Sequence, residues 1–416
     1  MREMKDSGIE WIGNVPSNWK LSKIKYMTTQ RECVGKYTPE KDKFIGLENV
    51  IGFADRYIET STEYETSIYD VCHKGDILFG RLRPYLAKIL TVPFDGYCTG
   101  EFLVFDSFNG CKNYLKYVLL SKPFIDEVNL STYGAKMPRA NADFILNMYL
   151  PLPQIVEQEK IAGFLDSQCS EIDAISADIQ KEIETLEQYK RSVITEAVTK
   201  GLNPDVEMKD SGIEWVGNVP DHWGVLANKY VMKKRKDICT KWNGENVLSL
   251  TMNGVIVRDL DNPVGKMPTT FDGYQFVYSG NLLMCLFDYD VTPRCVGIVK
   301  NAGVTSPAYS RFELNENATL EYFYYYYLMI DFTKELLHLA KNLRHSFTEE
   351  QLGALKVPLP PLDEQKNIAT YLDSKCKEIE SVIASKKQQL EVLDSYKKSL
   401  IYEYVTGKKE VPMYES

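Results

Sequence analysis

Histidine is scarce, with His73, His222, His338 and His345 alone among 416 residues. Four rings so far apart make poor material for a metal centre. The nine cysteines (33, 72, 98, 111, 169, 239, 285, 295 and 376) are odd in number and never spaced Cys-x-x-Cys. That argues against a disulfide framework or a zinc site and fits a reduced, cytoplasmic setting. The most apolar run, Tyr322 to Ile330, is far short of the roughly 20 residues that span a bilayer, so no membrane is expected. No charged-then-apolar leader opens the chain. Catalytic signatures are equally thin. There is no G-x-x-x-x-G-K-[ST] loop for ATP and no G-x-S-x-G elbow. The Asn/Asp-Pro-Pro-aromatic tetrapeptide with which amino-methyltransferases grip a flipped base is missing too. Glu207-Met208-Lys209 superficially resembles a nuclease centre but sits in a linker with no strand around it. Net positive charge is also lacking: 49 Lys and Arg stand against 58 Asp and Glu, giving −9. Taken whole, that sum argues against a polyanionic partner.

What the chain does have is a repeat. Met4–Trp19 reads MKDSGIEWIGNVPSNW and Met208–Trp223 reads MKDSGIEWVGNVPDHW, 13 of 16 positions being identical at an offset of 204. A second pair, PLPQIVEQEKIAGFLDSQCSEI from Pro151 and PLPPLDEQKNIATYLDSKCKEI from Pro358, lies 207 residues apart. Two copies of one unit of about 205 residues follow from this. Between the matched segments, residues 20–150 and 224–357 share little identity. They keep one order of features, however: a Gly-led apolar run (from Gly75 and Gly280), Pro with basic residues, an aromatic helical stretch, and a polar basic loop. A repeated frame with two diverged faces suits the reading of two different things.

The second repeated segment predicts a long helix in each copy. Pro153 and Pro361 mark the starts, and Gly201 and Gly407 the stops. Leu165, Ile172, Ile179, Leu186 and Val193 recur every seven residues. Leu372, Ile379, Lys386, Leu393 and Leu400 follow in the other copy, with the lysine interrupting the stripe. Cys169, Ile183, Cys376, Ile383 and Leu390 fill the alternate seam position. A sustained 3.5-residue period is that of a coiled coil. Helices of roughly 45 residues would run about 68 Å. The competing reading packs each stripe on its own globular region. The narrowness of the stripe favours pairing, antiparallel if a pseudo-twofold axis relates the copies, with Lys386 setting register.

Charge divided by segment removes the objection to nucleic acid. Residues 20–150 carry 17 basic and 16 acidic side chains, and residues 224–357 carry 15 and 14. Residues 151–207 carry 5 and 12, so the acidity lies in the spacer. The near-neutral regions hold the candidate contacts. In the first these are Arg81, Arg83, Tyr85 and Lys88, then Lys136, Arg139 and Asn141 within Tyr133–Asn141. In the second they are Lys233, Lys234, Arg235 and Lys236, then Arg294, and Lys341, Arg344 and His345. Arg and Lys grip guanine and phosphate, and Asn reads adenine. Any one of these loops alone is as readily a solvated turn; together they make a pattern. The tyrosines of 322–327 are expected to pack a helix rather than stack on bases.

The D-S-G-I-E-W-[IV]-G-N-V-P segments at 6–16 and 210–220 and the P-L-P…E-Q…I-A…L-D helix starts closely resemble the specificity subunit of type I restriction-modification systems. Gly75–Tyr85 and Met137–Asn141 resemble parts of its target-recognition domains. The resemblance covers essentially the whole chain. It implies an α+β fold in which two α/β target-recognition domains are separated by a pair of long antiparallel coiled-coil helices, with a pseudo-twofold internal repeat. The expected segments are 1–150 (first recognition domain), 151–207 (spacer helix and linker), 208–357 (second recognition domain) and 358–416 (second spacer helix and tail). It further implies a non-catalytic DNA-binding chain reading a bipartite double-stranded site, with two methyltransferase (M) subunits and two restriction/translocase (R) subunits as partners. S-adenosylmethionine, ATP and Mg would then belong to those partners, with no cofactor or metal in this chain. The alternatives are an orphan DNA-binding module of another DNA-modifying complex, or a coiled-coil scaffold.

Overall fold

The computed structural model describes residues 2–134, 136–263, 265, 267–340 and 345–412. The chain divides into two compact units, Met1–Gln180 with Lys387–Ser416, and Lys181–Lys386. Each unit therefore takes one mixed region and half of each long helix.

The helices run Ile155–Lys200 and Leu362–Val405, 46 and 44 residues. Both stop just before glycines in the left-handed region, Gly201 (φ +76°) and Gly407 (φ +70°). An L side chain resists that conformation and glycine does not. In the first unit Leu165, Cys169 and Ile172 share a core with Leu393, Leu400, Ile401 and Tyr404. In the second, Val193, Ile194 and Ala197 do so with Ile368, Leu372 and Cys376. The early part of each helix thus meets the late part of the other, an antiparallel pairing within each unit. Ile379 is buried, while Ile179, Leu186 and Lys386 are half-buried. Ion pairs cross the seam at repeat-equivalent places: Lys397 with Asp173 in the first unit, and Lys190 with Glu380 in the second. Lys386 pairs with Glu182.

The same clusters also contain recognition-region residues such as Trp11, Trp19, Tyr114 and Phe124 in one unit and Trp223, Tyr322 and Phe323 in the other. The two readings of the stripe are therefore both realised toward the helix ends. The repeated motifs make the anchors. Gln158 and Gln365, both buried, accept from the backbone N–H of Cys111 (2.9 Å) and Thr319 (2.8 Å) and donate to the carbonyls of Pro153 and Pro360. Tyr114 donates to the Val405 carbonyl at 2.9 Å and Tyr322 to that of Val198 at 3.0 Å, satisfying carbonyls that a helix end leaves open. Tyr117 and Tyr325 donate to Asp166 and Asp373, each at 2.7 Å. The matched Trp-containing segments fold as hairpins, Met4–Asp6 with Asn14–Pro16 and Met208–Asp210 with Asn218–Pro220, so Met208 and Lys209 lie on a short strand where the sequence led us to expect none.

Each recognition region is built on two small sheets. In the first unit one sheet has the antiparallel order Ile89–Thr91, Ile77–Gly80, Phe102–Phe108, Thr28–Gln30. Its counterpart in the second runs Val296–Ile298, Leu282–Met284, Ser310–Leu314, Met232–Arg235, the same order. The other sheets share three strands and differ at the fourth. Val34–Lys36 lies outside Ile68–Cys72 in the first unit. In the second, Gly254–Val257 lies outside Val247–Thr251, at the opposite edge. The aromatic helix Leu320–Thr333 buries Tyr322, Phe323, Tyr325, Tyr326 and Tyr327, so its rings are packing.

Candidate nucleic-acid interface

The Arg81–Lys88 loop joins strands Ile77–Gly80 and Ile89–Thr91, and the 131–141 segment leads into the short helix Ala142–Asn147. The fold lays these two segments side by side. Arg83 N–H donates to the Pro138 carbonyl at 2.7 Å, and Ala140 N–H to the Arg81 carbonyl at 2.9 Å. Arg139 forms isolated bridges with both Leu82 and Tyr133. Arg83 adopts φ +50°, an unusual value for a side-chain-bearing residue, followed at once by a 3-10 turn over Pro84–Leu86. The result is an exposed group of Arg83, Tyr85, Tyr133, Lys136 and Met137. Guanidinium, ammonium and aromatic faces together suit phosphate and base contacts.

Behind that group the side chains are tied down. Arg139 is ion-paired to Glu101. Arg81 donates from Nη2 to the Gly100 carbonyl at 2.6 Å and from its backbone N–H to the Glu101 carbonyl at 2.8 Å. Asp70 lies near enough for Arg81 to pull its carboxyl pKa down, though burial is the larger effect and pushes it up. Lys88 turns inward, donating to the Leu47 carbonyl at 2.5 Å, and burial lowers its pKa. Asn141 spends its side-chain oxygen capping the short helix, accepting from Asp143 N–H at 2.8 Å and Phe144 N–H at 3.3 Å.

The second unit repeats this geometry with other residues. Phe347 N–H donates to the Leu286 carbonyl at 2.8 Å, matching Ala140 and Arg81, and Thr348 caps the next helix as Asn141 does. Asp288 has φ +45° where Arg83 has +50°. The residues equivalent to Arg81–Tyr85 are therefore Leu286–Asp290 rather than Thr292–Arg294. His345 pairs with Asp290 at 2.9 Å. Arg294 donates to the Tyr324 hydroxyl at 3.2 Å and lines a groove of about 970 Å³ with Met252, Asp373 and Glu380. Lys233, Lys234 and Arg235 lie on the edge strand Met232–Arg235. Arg235 pairs with Glu313 (2.8 Å) and Lys234 with Glu349 (3.5 Å), while Lys233 and Lys236 are exposed. Lys341 and Arg344 lie outside the described residues. Among the described residues no cluster of His, Cys, Asp or Glu could hold a metal ion, and no helix is long and apolar enough to cross a membrane.

Glu101, Asp288 and Asp290 were not legible as site residues. Glu101 stands 20 positions from Arg81 and 38 from Arg139, and the Gly80↔Phe102 pairing together with the Leu82–Arg139 bridge brings the three together. Asp288 is recognisable only by its backbone equivalence to Arg83.

A duplicated α+β frame, with both long helices shared between two units and a differently equipped loop pair in each, defines a two-domain DNA-recognition protein. The chain belongs to the type I restriction modification DNA specificity domain family, which residues 16–185 and 291–392 match. It is 27% identical over 318 residues to the type I restriction enzyme MjaVIII specificity subunit of Methanocaldococcus jannaschii, covering 72% of this chain and 70% of the relative. It is 25% identical over 439 aligned positions to the putative MjaX specificity subunit of the same organism, covering 96% of each. In fold it is similar to a chain from a structure of the type I R-M system solved to show complex assembly and conformational transition. That match has a TM-score of 0.68 at 15% identity and covers 95% of this chain and 99% of that one.

Proposed function

We propose that this chain is the non-catalytic specificity subunit of a cytoplasmic type I restriction-modification complex, with each recognition region gripping one half of a bipartite duplex site. In the first region Arg83, Tyr85, Lys136 and the partly exposed Arg139 meet the DNA directly, and Arg81 supports them. In the second, Asp288 and Asp290 are the corresponding positions, with His345 paired to Asp290, and Lys233 and Lys236 at the edge strand and Arg294 in its groove complete the proposed set. Lys341 and Arg344 belong to the same proposed set on sequence grounds. The helices fix the gap between half-sites and dock two methyltransferase subunits, to which two restriction/translocase subunits add. S-adenosylmethionine, ATP and Mg reside in those partners.

The observation that carries this reading is the pair of equivalent loop junctions bearing unlike side chains. Identical frames with identical surfaces would serve a symmetric ligand. Here Arg83 and Tyr85 of one unit are matched by Asp288 and Asp290 in the other, a difference that suits two unlike half-sites. Single-molecule methylation mapping of a host carrying the complete system tests it. The expected motif has two unlike specified halves around an unspecified gap. Arg83→Ala with Arg139→Ala should relax the first half alone. A continuous motif, or equal loss at both halves, contradicts the reading.

A further inference from the structure

Glu101 is partly buried and sits at the centre of the first loop junction. Its carboxylate holds Arg139 in an ion pair, with about a fifth of the Glu101 side chain and two fifths of that of Arg139 exposed. Its own carbonyl accepts from the Arg81 backbone, and the preceding carbonyl, of Gly100, holds the Arg81 guanidinium. The second unit shows what this cluster is not for. There the register Leu283↔Arg311, against Leu78↔Val104, puts Ala308 at the position of Glu101. Leu286 and Ser346 replace Arg81 and Arg139. The backbone junction still forms, Phe347 N–H to Leu286 carbonyl at 2.8 Å. The loops therefore close without any member of the cluster, and closure does not explain it.

We infer that Glu101 is a positioning residue for the first half-site, its carboxylate orienting the guanidinium group of Arg139 before DNA arrives. This rests on the function proposed above. Arginine carries large rotamer freedom, and fixing it in advance removes that ordering cost from the binding step. The physical consequence has opposite signs for two kinds of DNA. Glu101→Gln removes one negative charge beside a polyanion site, which strengthens sequence-independent attraction. The same change frees Arg139, which weakens cognate binding by about 2- to 12-fold, the equivalent of ordering one such side chain at roughly 0.5–1.5 kcal/mol.

The test uses the full chain assembled with its methyltransferase subunits. Equilibrium competition is measured against duplexes carrying the mapped site, the site with its first half scrambled, and the site with its second half scrambled. For Glu101→Gln the expected result is weaker binding to the intact site and to the second-half-scrambled duplex. Binding to the first-half-scrambled duplex should be unchanged or tighter, and Glu101→Asp should lie between variant and wild type. Parallel change on all three duplexes, as misfolding would produce, overturns the inference, and so does no change on any. Failure of the underlying reading is distinct, because the wild-type complex would then not discriminate the three duplexes at all.

Discussion

Lys397 is a buried ammonium on the helix seam, its side chain 11% exposed, with Nζ 2.6 and 2.8 Å from the two carboxylate oxygens of Asp173. Asp173 itself is about half exposed. A fully buried charge stripped of its partner costs about 3–5 kcal/mol, whereas an exposed pair is worth about 0.2–1 kcal/mol. The half-exposed carboxylate puts Asp173→Ala between these limits, at about 1–2 kcal/mol. Lys397→Met removes the charge and keeps the stem packed, so it should stay within about 0.5 kcal/mol of wild type. In a unit of about 210 residues the first change lowers the melting temperature by about 2–8 °C and the second by under about 2 °C. Thermal unfolding of the full chain, followed by a near-ultraviolet signal, reads both. Lys190→Met and Glu380→Ala in the second unit should show the same ordering. Equal losses for Asp173→Ala and Lys397→Met would refute the reasoning, since the cost would then come from the attraction itself rather than from an orphaned charge.

Inserting four residues into the middle of both helices lengthens them by about 6 Å. If the helices set the gap, the mapped spacer should grow by one to two steps of roughly 3.4 Å, and an unchanged spacer contradicts that role. Tyr114→Phe removes the donor to two buried carbonyls, Pro151 and Val405, whereas Tyr322→Phe removes the donor to that of Val198. Each carbonyl left open costs about 1–3 kcal/mol, so denaturant titration should find Tyr114→Phe the more destabilising. Gly407→Ala places a Cβ 2.6 Å from Pro16 on top of its left-handed strain, while Gly75→Ala, at φ +86°, meets open space. The first should exceed the second, itself about 1–2 kcal/mol, by at least about 1 kcal/mol in the same titration.

The helices and the duplication were legible because both leave periodic marks. The seven-residue spacing from Leu165 to Val193 fixes a seam, and the 207-residue offset relates Gln158 to Gln365 before their hydrogen bonds are known. What the motif does was not legible, since Gln158 acts through the Cys111 amide and the Pro153 carbonyl. The sheets left little trace. Their strands are two to seven residues long, and pairs such as Gly80↔Phe102 depend on contacts far apart in sequence. In the site, the loop holding Arg81, Arg83 and Tyr85 stood out by composition, but its neighbour Glu101 had no pattern around it. Composition also could not separate outward-facing Arg83 and Lys136 from Lys88 and Asn141, whose polar atoms serve the Leu47 carbonyl and the helix Ala142–Asn147. Nor could it align Asp288 with Arg83, because only the shared left-handed backbone does that.

The central claim is that each recognition region reads its own half-site through a frame common to both. A chain in which residues 224–357 are replaced by a second copy of residues 20–150 tests it most directly, with methylation mapping as the readout and co-purification of the methyltransferase subunits as the folding control. The expected motif is an inverted repeat of the first half-site, with the second half-site gone. An assembled complex that still methylates the original asymmetric motif would contradict the claim.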